Sequence, residues 1–103
     1  MMTIRQHLLL KLAEECAEVS QRALKQMQFG RDEVQKDQDK TNGERLREEI
    51  NDVVSVVTML IESGGISSIT SEELLDAVNI KQFRIEKYLK YSQELGMVEN
   101  NGK

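Results

Sequence analysis

The sequence predicts an all-α protein, a helical bundle of three to four helices per chain whose core is completed by homo-oligomerisation. Its 103 residues contain no proline, only 4% aromatic residues and 31% charged residues, a composition that favours soluble helices with charged outer faces. Apolar residues recur at helical spacing in three segments, and polar or glycine-rich stretches separate these segments. Because a three-helix monomer would leave parts of such wide apolar stripes exposed, we expect a homodimer or homotetramer.

The first predicted helix runs from about Thr3 to about Gln28 and ends at Phe29-Gly30. At about 100° per residue, Glu15 falls inside its apolar stripe and Glu18 lies at the margin of the stripe. A cysteine on that stripe is expected to be a core residue. The stripe consists of Ile4, Leu8, Leu12, Cys16, Val19 and Ala23.

The second predicted helix follows a polar segment, residues 30–43, that has no sustained apolar period and is expected to be a loop. Thr41 and Glu44 form a possible capping box at the start of this helix, which would end near Ser63, before two glycines. Glu49 lies at the border of its apolar stripe and Asp52 follows on the same side. The stripe consists of Leu46, Ile50, Val53, Val54, Val57, Leu60 and Ile61.

The third predicted helical region begins with a second capping signal, Thr70 with Glu73, and extends to about Leu95. An interruption near Asn79 is one alternative, and Gly96 is the expected C-cap. Residues 1–95 are therefore predicted to form a single all-α domain, and residues 96–103 a flexible tail.

Charge and hydropathy exclude several classes of function. A formal net charge of −4 gives no general attraction to nucleic acid or to an anionic membrane, so neither is an expected partner. One cysteine excludes an intrachain disulfide and fits a reducing compartment. No apolar run approaches the roughly 20 residues of a membrane span, and the first residues lack a signal-peptide pattern, so the expected location is the cytoplasm.

The two helices that precede and follow the long loop each carry an acid pair at i, i+3 where the apolar stripe begins. Antiparallel packing of these stripes would bring all four carboxylates together. Two anions about 5 Å apart repel by roughly 3 kcal/mol at an effective dielectric constant near 20. Magnesium relieves this repulsion, because it takes oxygen ligands and commonly joins carboxylates to substrate phosphates.

The two acid pairs resemble the signature of the all-α nucleoside triphosphate pyrophosphohydrolases. The first pair reads E-x-x-E, Glu15 and Glu18 in EECAE, and the second reads E-x-x-D, Glu49 and Asp52 in REEIND. The likeness extends over LAEECAEVSQRALK, the FG-containing loop and RLREEINDVVSVVTML, roughly residues 8 to 62. Over this range the chain resembles the small, single-domain MazG-like proteins often seen in phages and bacteria. The superfamily also includes dimeric dUTPases and phosphoribosyl-ATP pyrophosphohydrolases.

This resemblance implies that a nucleoside triphosphate is cleaved between its α and β phosphates, giving a nucleoside monophosphate and pyrophosphate. It also implies that Glu15, Glu18, Glu49 and Asp52 are catalytic and bind Mg²⁺, with Mn²⁺ as an alternative ion. One of these acids, or a neighbour such as Glu14 or Glu48, would accept the proton of the attacking water. Glu18 and Glu49 are separated by 30 residues, 19 to 48, which is long for the family, so the loop either folds over the substrate or is a tolerated insertion.

Basic residues elsewhere offer further contacts for the substrate. Lys11 and Arg22 lie one turn before and one turn after the first acid pair, where each would bind phosphate or form an ion pair with an acid. The third helix carries a basic, partly aromatic segment that would bind phosphate, stack a base or form a solvated face. Its candidate residues are Lys81, Arg84, Lys87 and Tyr88.

Two other functions stay open on the sequence. An enzyme with the same fold and metal would act on a deoxyuridine nucleotide or a phosphoribosyl-nucleotide intermediate. A non-catalytic helical interaction module would use the same helices for oligomer packing, with the acids as surface residues. The alternative to metal binding is that Glu15 and Glu49 form interhelical salt bridges with Lys11, Arg22 or Arg47. Metal binding separates the module from the enzymes, and a substrate panel separates the enzymes from one another.

Overall fold

The computed structural model describes residues 1–100, and these residues are helical apart from short connections. The three helices are α1 (Ile4–Phe29), α2 (Asn42–Glu62) and α3 (Ser71–Glu94). Between residues 1 and 100 there is no β-strand, only an isolated antiparallel bridge that joins Val34 to Thr41. The predicted all-α class is therefore confirmed, with three helices in the described part of the chain.

Each helix begins with a threonine whose hydroxyl accepts a hydrogen bond from the backbone N–H three residues later. In each case the side chain at that later position accepts a hydrogen bond from the threonine N–H, which completes a capping box and satisfies two otherwise free donors. The boxes at α2 and α3 confirm the sequence prediction, whereas the glutamine-containing box at α1 was not predicted. The three pairs are Thr3 with Gln6, Thr41 with Glu44, and Thr70 with Glu73.

The ends of α2 and α3 have similar backbone geometry. Ser63 and Leu95 are the C-caps, and each is followed by a glycine, Gly64 or Gly96, with φ of 76°. Glycine adopts this left-handed conformation without the steric cost of a Cβ atom. Gly96 was predicted to be the C-cap of α3, and it lies one residue after the observed C-cap, Leu95. Helix α3 continues through Asn79 without an interruption.

Helices α1 and α2 pack against each other in antiparallel orientation within the first of two compact units, Met1–Ser67. At one end of the pair, Arg5 Nε donates a hydrogen bond of 2.8 Å to the carbonyl oxygen of Ser63. Leu8, three residues after Arg5, is 7% exposed, and Leu60, three residues before Ser63, is fully buried. These two leucines are the buried apolar side chains of residues 1–100, so the core of this unit is small.

The predicted apolar stripes are wider than the contact between α1 and α2. Leu12 and Val19 are half-buried, whereas Ile4 and Val54 are 78% and 58% exposed. Cys16 is exposed, so its prediction as a core residue was wrong. Eight residues after Leu8, its Cα direction is rotated by about 80° around the helix axis, away from the centre of the contact.

The loop between α1 and α2 is held to the start of α2 by backbone and side-chain hydrogen bonds. The N–H groups of Asn42 and Gly43 donate to the carbonyl oxygens of Glu33 and Arg31, each over 2.9 Å. The Asn42 side chain, 1% exposed, also donates from Nδ2 to Gly30 O at 2.9 Å and to Glu33 Oε1 at 3.1 Å. The long spacer is therefore a hydrogen-bonded loop that is anchored by the buried Asn42 at the start of α2.

The second unit begins at Ser68 and contains α3. All side chains from Ser71 to Tyr91 are exposed, including Leu75 at 60% and Phe83 at 72%. After the helix, Met97 N donates to Ser92 O at 2.9 Å. Of the tail predicted to be flexible, residues 96–100 are described, and residues 101–103 lie outside the described part of the chain.

Candidate functional site

Three of the four predicted acids come together where α1 and α2 pack. Glu15, Glu18 and Glu49 each place one carboxylate oxygen within 4.8 Å of the others. The two i, i+3 residues of α1 lie on one helical edge, and antiparallel packing brings Glu49 of α2 across from them. The sequence therefore predicted this convergence correctly for these three side chains.

Asp52 is exposed and lies outside that group of three, one turn further along α2 than Glu49. Its negative charge is nevertheless close enough to raise the pKa of both Glu15 and Glu49. The four acids thus form one electrostatic cluster, called the acid cluster below, in which Asp52 occupies the edge that faces solvent.

The acid cluster is crowded with like charge. The pKa of Glu49 is raised from an ordinary value of 4.5 to about 7. Partial burial is the largest cause, and the neighbouring Glu18 is the next. Burial is also the main cause that raises the pKa of Glu15, followed by the charges of Glu18 and Asp52. The folded chain therefore holds carboxylates together at a cost that a bound cation would offset.

Two carboxylate oxygens in the cluster are buried without a hydrogen-bond donor. Glu15 Oε2 and Glu49 Oε2 have no hydrogen-bond partner among residues 1–100. Buried oxygens are normally satisfied by a donor, a water or an ion. Several carboxylate oxygens gathered around one point are the donor set that Mg²⁺ and Mn²⁺ take, so the residues present fit a divalent cation.

Lys11, predicted to contact substrate or an acid, forms an ion pair of 3.1 Å with Glu14. Its charge also lowers the pKa of Glu15, so it lies near the acid cluster. Glu48 forms an ion pair of 2.9 Å with Lys40. Both alternative proton acceptors named above, Glu14 and Glu48, are therefore bonded to lysine ammonium groups.

Arg22 is half-buried, and its Nη1 is a buried nitrogen that has no hydrogen-bond partner within the described residues. One turn before Glu49, Arg45 is also half-buried and donates from Nη1 to Gln35 Oε1 over 3.1 Å. Sequence reasoning singled out Arg22 but missed Arg45. Arg45 lies four residues before Glu49 on the same side of α2, and this spacing is the sequence signal that places it near the acid cluster.

The candidate residues of α3 are all exposed. Arg84 and Lys87 line a groove of about 430 Å³ together with Phe83. Lys81 and Tyr88 are exposed on the same helix. In the second unit these side chains therefore present positive charge beside aromatic surface.

A further concave surface of about 670 Å³ lies where the loop meets the start of α2. Leu46 and Ile50 form part of its lining, with Arg47 beside them. The other two basic residues that line it are bonded to acids, Arg31 to Asp32 and Lys40 to Glu48. None of the four acids of the cluster lines this surface.

No protein-family model, curated protein or solved structure matches the chain.

Proposed function

We propose that the chain is an Mg²⁺-dependent nucleoside triphosphate pyrophosphohydrolase. The observation that carries the proposal is the convergence of Glu15, Glu18 and Glu49 to within 4.8 Å. The order of the two acid motifs and their resemblance to the MazG-like proteins supply the substrate class and the reaction.

Glu15, Glu18 and Glu49 would hold the metal, with Asp52 completing the set from the solvent side. A bound Mg²⁺ would neutralise the polyphosphate and lower the pKa of a water for in-line attack on the α phosphorus. The clustered carboxylates favour this state, because a cation would stabilise the charged form of Glu49, whose pKa is raised by burial and then by its acidic neighbours. Water would attack the α phosphorus, the bond to the bridging oxygen would break, and pyrophosphate would leave.

We further propose that the active form is a homodimer or homotetramer. Support comes from the large apolar side chains that remain exposed on every helix, among them Ile4, Val54, Leu75 and Phe83. Apolar surface of this extent marks interaction sites more often than it marks a free monomer.

The proposal is tested by measuring pyrophosphate release from the eight canonical ribonucleoside and deoxyribonucleoside triphosphates, with and without Mg²⁺. The wild type is compared with Glu49→Gln, which keeps the shape of the side chain but removes its charge. Glu62→Gln is the matched control, since Glu62 is exposed near the end of the same helix.

We expect Mg²⁺-dependent release from the wild type and from Glu62→Gln, and a loss of at least about a hundredfold in Glu49→Gln. Turnover that survives in Glu49→Gln would contradict the assignment of the acid cluster. A preference for deoxyuridine triphosphate, or activity only on a phosphoribosyl nucleotide, would select the second enzyme function. The absence of both Mg²⁺ binding and turnover would select the interaction module.

A further inference from the structure

Beside the acid cluster, the fold places two arginines where a negatively charged ligand would fit. Arg22 follows Glu18 by four residues, and Arg45 precedes Glu49 by four residues. Residues four apart lie on the same side of a helix, one turn from each other. Each arginine therefore lies on the same helix face as one acid of the cluster, one turn away from it.

The packing register of α1 and α2 places these two positions on facing turns of the helix pair. Glu18 and Glu49 are in contact within the acid cluster, and Arg5 is bonded to Ser63 at the far end of the pair. Both contacts give the same antiparallel register to within one residue. One turn from the Glu18–Glu49 contact, toward the loop, this register brings Arg22 opposite Arg45.

Two half-buried arginines on facing turns bring like charge together, and a bound anion would offset that repulsion. The structure records no ion pair for either arginine within residues 1–100, although Glu18 and Glu49 are only four residues away. Arg22 retains a buried Nη1 that has no partner in the described chain. In the loop, Gln35 Oε1 accepts a hydrogen bond from one of the five N–H groups of the Arg45 guanidinium.

We propose that Arg22 and Arg45 form a phosphate site that binds the terminal, pyrophosphate end of the substrate. A guanidinium group can donate two parallel hydrogen bonds to the oxygens of one phosphate, and it remains charged at any physiological pH. The site lies about 5.4 Å, one helical turn, from the acid cluster, which is the length scale of linked phosphate groups.

This inference rests on the proposed function and gives the substrate a direction along the helix pair. The α phosphorus lies at the acid cluster, the β and γ phosphates extend toward the loop, and the nucleoside extends toward the Lys11 end. The hydrogen-bonded loop then acts through Gln35 as a support for Arg45.

The test is calorimetric titration of the full chain in Mg²⁺ with two probes, inorganic pyrophosphate and a nucleoside monophosphate. Arg22→Gln and Arg45→Gln remove one guanidinium each. Arg47→Gln is the matched control, because Arg47 is exposed and lies two residues from Arg45 on α2. Circular dichroism checks that each variant is folded, and Arg22→Lys with Arg45→Lys provides a charge-preserving pair in case a glutamine variant does not fold.

We expect each glutamine variant to bind pyrophosphate about tenfold to a hundredfold more weakly, the range for loss of a hydrogen bond to a charged group. The charge-preserving variants should bind more tightly than the glutamine variants. Affinity for the monophosphate should stay within about threefold of wild type, and Arg47→Gln should match the wild type with both probes.

Three results would overturn the inference: no pyrophosphate binding by the wild type, unchanged pyrophosphate affinity in both glutamine variants, or a larger loss for the monophosphate than for pyrophosphate. Its failure is distinguishable from failure of the proposed function. If Glu49→Gln abolishes hydrolysis while the arginine variants bind pyrophosphate normally, only the phosphate site is wrong. If no nucleotide is hydrolysed but pyrophosphate binding depends on both arginines, the phosphate site stands and the enzyme proposal fails.

Discussion

Glu49 is the residue whose environment departs most clearly from that of an ordinary surface carboxylate. Its pKa is raised to about 7 by partial burial and by Glu18, with smaller contributions from Asp52 and Glu15. Between pH 4.5 and pH 7 the folded chain therefore binds a proton at Glu49 that the unfolded chain has released. The contribution of Glu49 to stability is greatest below pH 4.5 and is lost as the pH rises toward 7.

Replacing Glu49 with glutamine should therefore stabilise the metal-free chain at high pH and have little effect at low pH. We expect the free energy of unfolding of Glu49→Gln to exceed that of wild type by about 1 kcal/mol at pH 8, after allowance for solvent screening. At pH 5 the difference should be close to zero. Urea denaturation in the presence of EDTA measures both values, with Glu62→Gln as the control. A destabilised Glu49→Gln at pH 8 would show that this carboxylate is favourably paired.

At the scale of single residues, the sequence was sufficient to predict the acid cluster but not the second arginine. The sequence predicts the convergence of Glu15, Glu18 and Glu49 because carboxylates within or beside an apolar stripe depart from the usual separation of apolar and charged helix faces. Arg45 breaks no pattern, since arginine near a helix start is common on solvated faces. Its position becomes informative only with the packing register of α1 and α2, from which we infer that Arg45 lies on the turn facing that of Arg22.

One buried side chain contributes two of the hydrogen bonds that hold the loop between α1 and α2. Asn42 Nδ2 bonds both Gly30 O and Glu33 Oε1, and the loop in turn supplies Gln35 to Arg45. Asn42→Ala would remove both hydrogen bonds and leave the carbonyl oxygen of Gly30 without this donor. We expect it to lower the free energy of unfolding by about 1 to 3 kcal/mol.

Equilibrium urea denaturation measures that loss, and Asn51→Ala is the matched control because Asn51 is exposed on the same helix. A change for Asn42→Ala no larger than for Asn51→Ala would mean that the loop is not anchored by this side chain. The anchoring itself was not predictable from the sequence, because an asparagine just after a capping threonine is ordinarily a surface residue.

At the level of helices, the sequence predicted the boundaries to within about one or two residues. Capping threonines and glycines mark these boundaries with local chemistry that does not depend on tertiary packing. The burial of each apolar stripe was less predictable, as Cys16 shows, because it depends on which part of the stripe the neighbouring helix covers. Asn79 did not break α3, since the helical hydrogen bonds on either side outweigh the modest propensity of asparagine.

For the whole molecule, a buried apolar core of two leucines within residues 1–100 is small for a chain of this length. No helix in that range combines the length and apolar character needed to cross a membrane. In the proposed oligomer, a second copy would cover the apolar side chains that are exposed on α1, α2 and α3.

Light scattering coupled to size-exclusion chromatography should give a mass of at least two chains, 11.8 kDa each, at micromolar concentration. The midpoint of thermal unfolding should also rise with protein concentration, because folding and association are linked in such assemblies. A stable monomer whose thermal midpoint does not depend on concentration would contradict the oligomer prediction.

The central claim is that water attacks the α phosphorus of a nucleoside triphosphate at the acid cluster. The most direct measurement is hydrolysis of the preferred nucleotide in oxygen-18-labelled water with Mg²⁺, followed by mass spectrometry of the products. The account predicts unlabelled pyrophosphate and a nucleoside monophosphate that carries the heavy oxygen. A nucleoside diphosphate with labelled orthophosphate, labelled pyrophosphate, or no turnover of any nucleotide would contradict it.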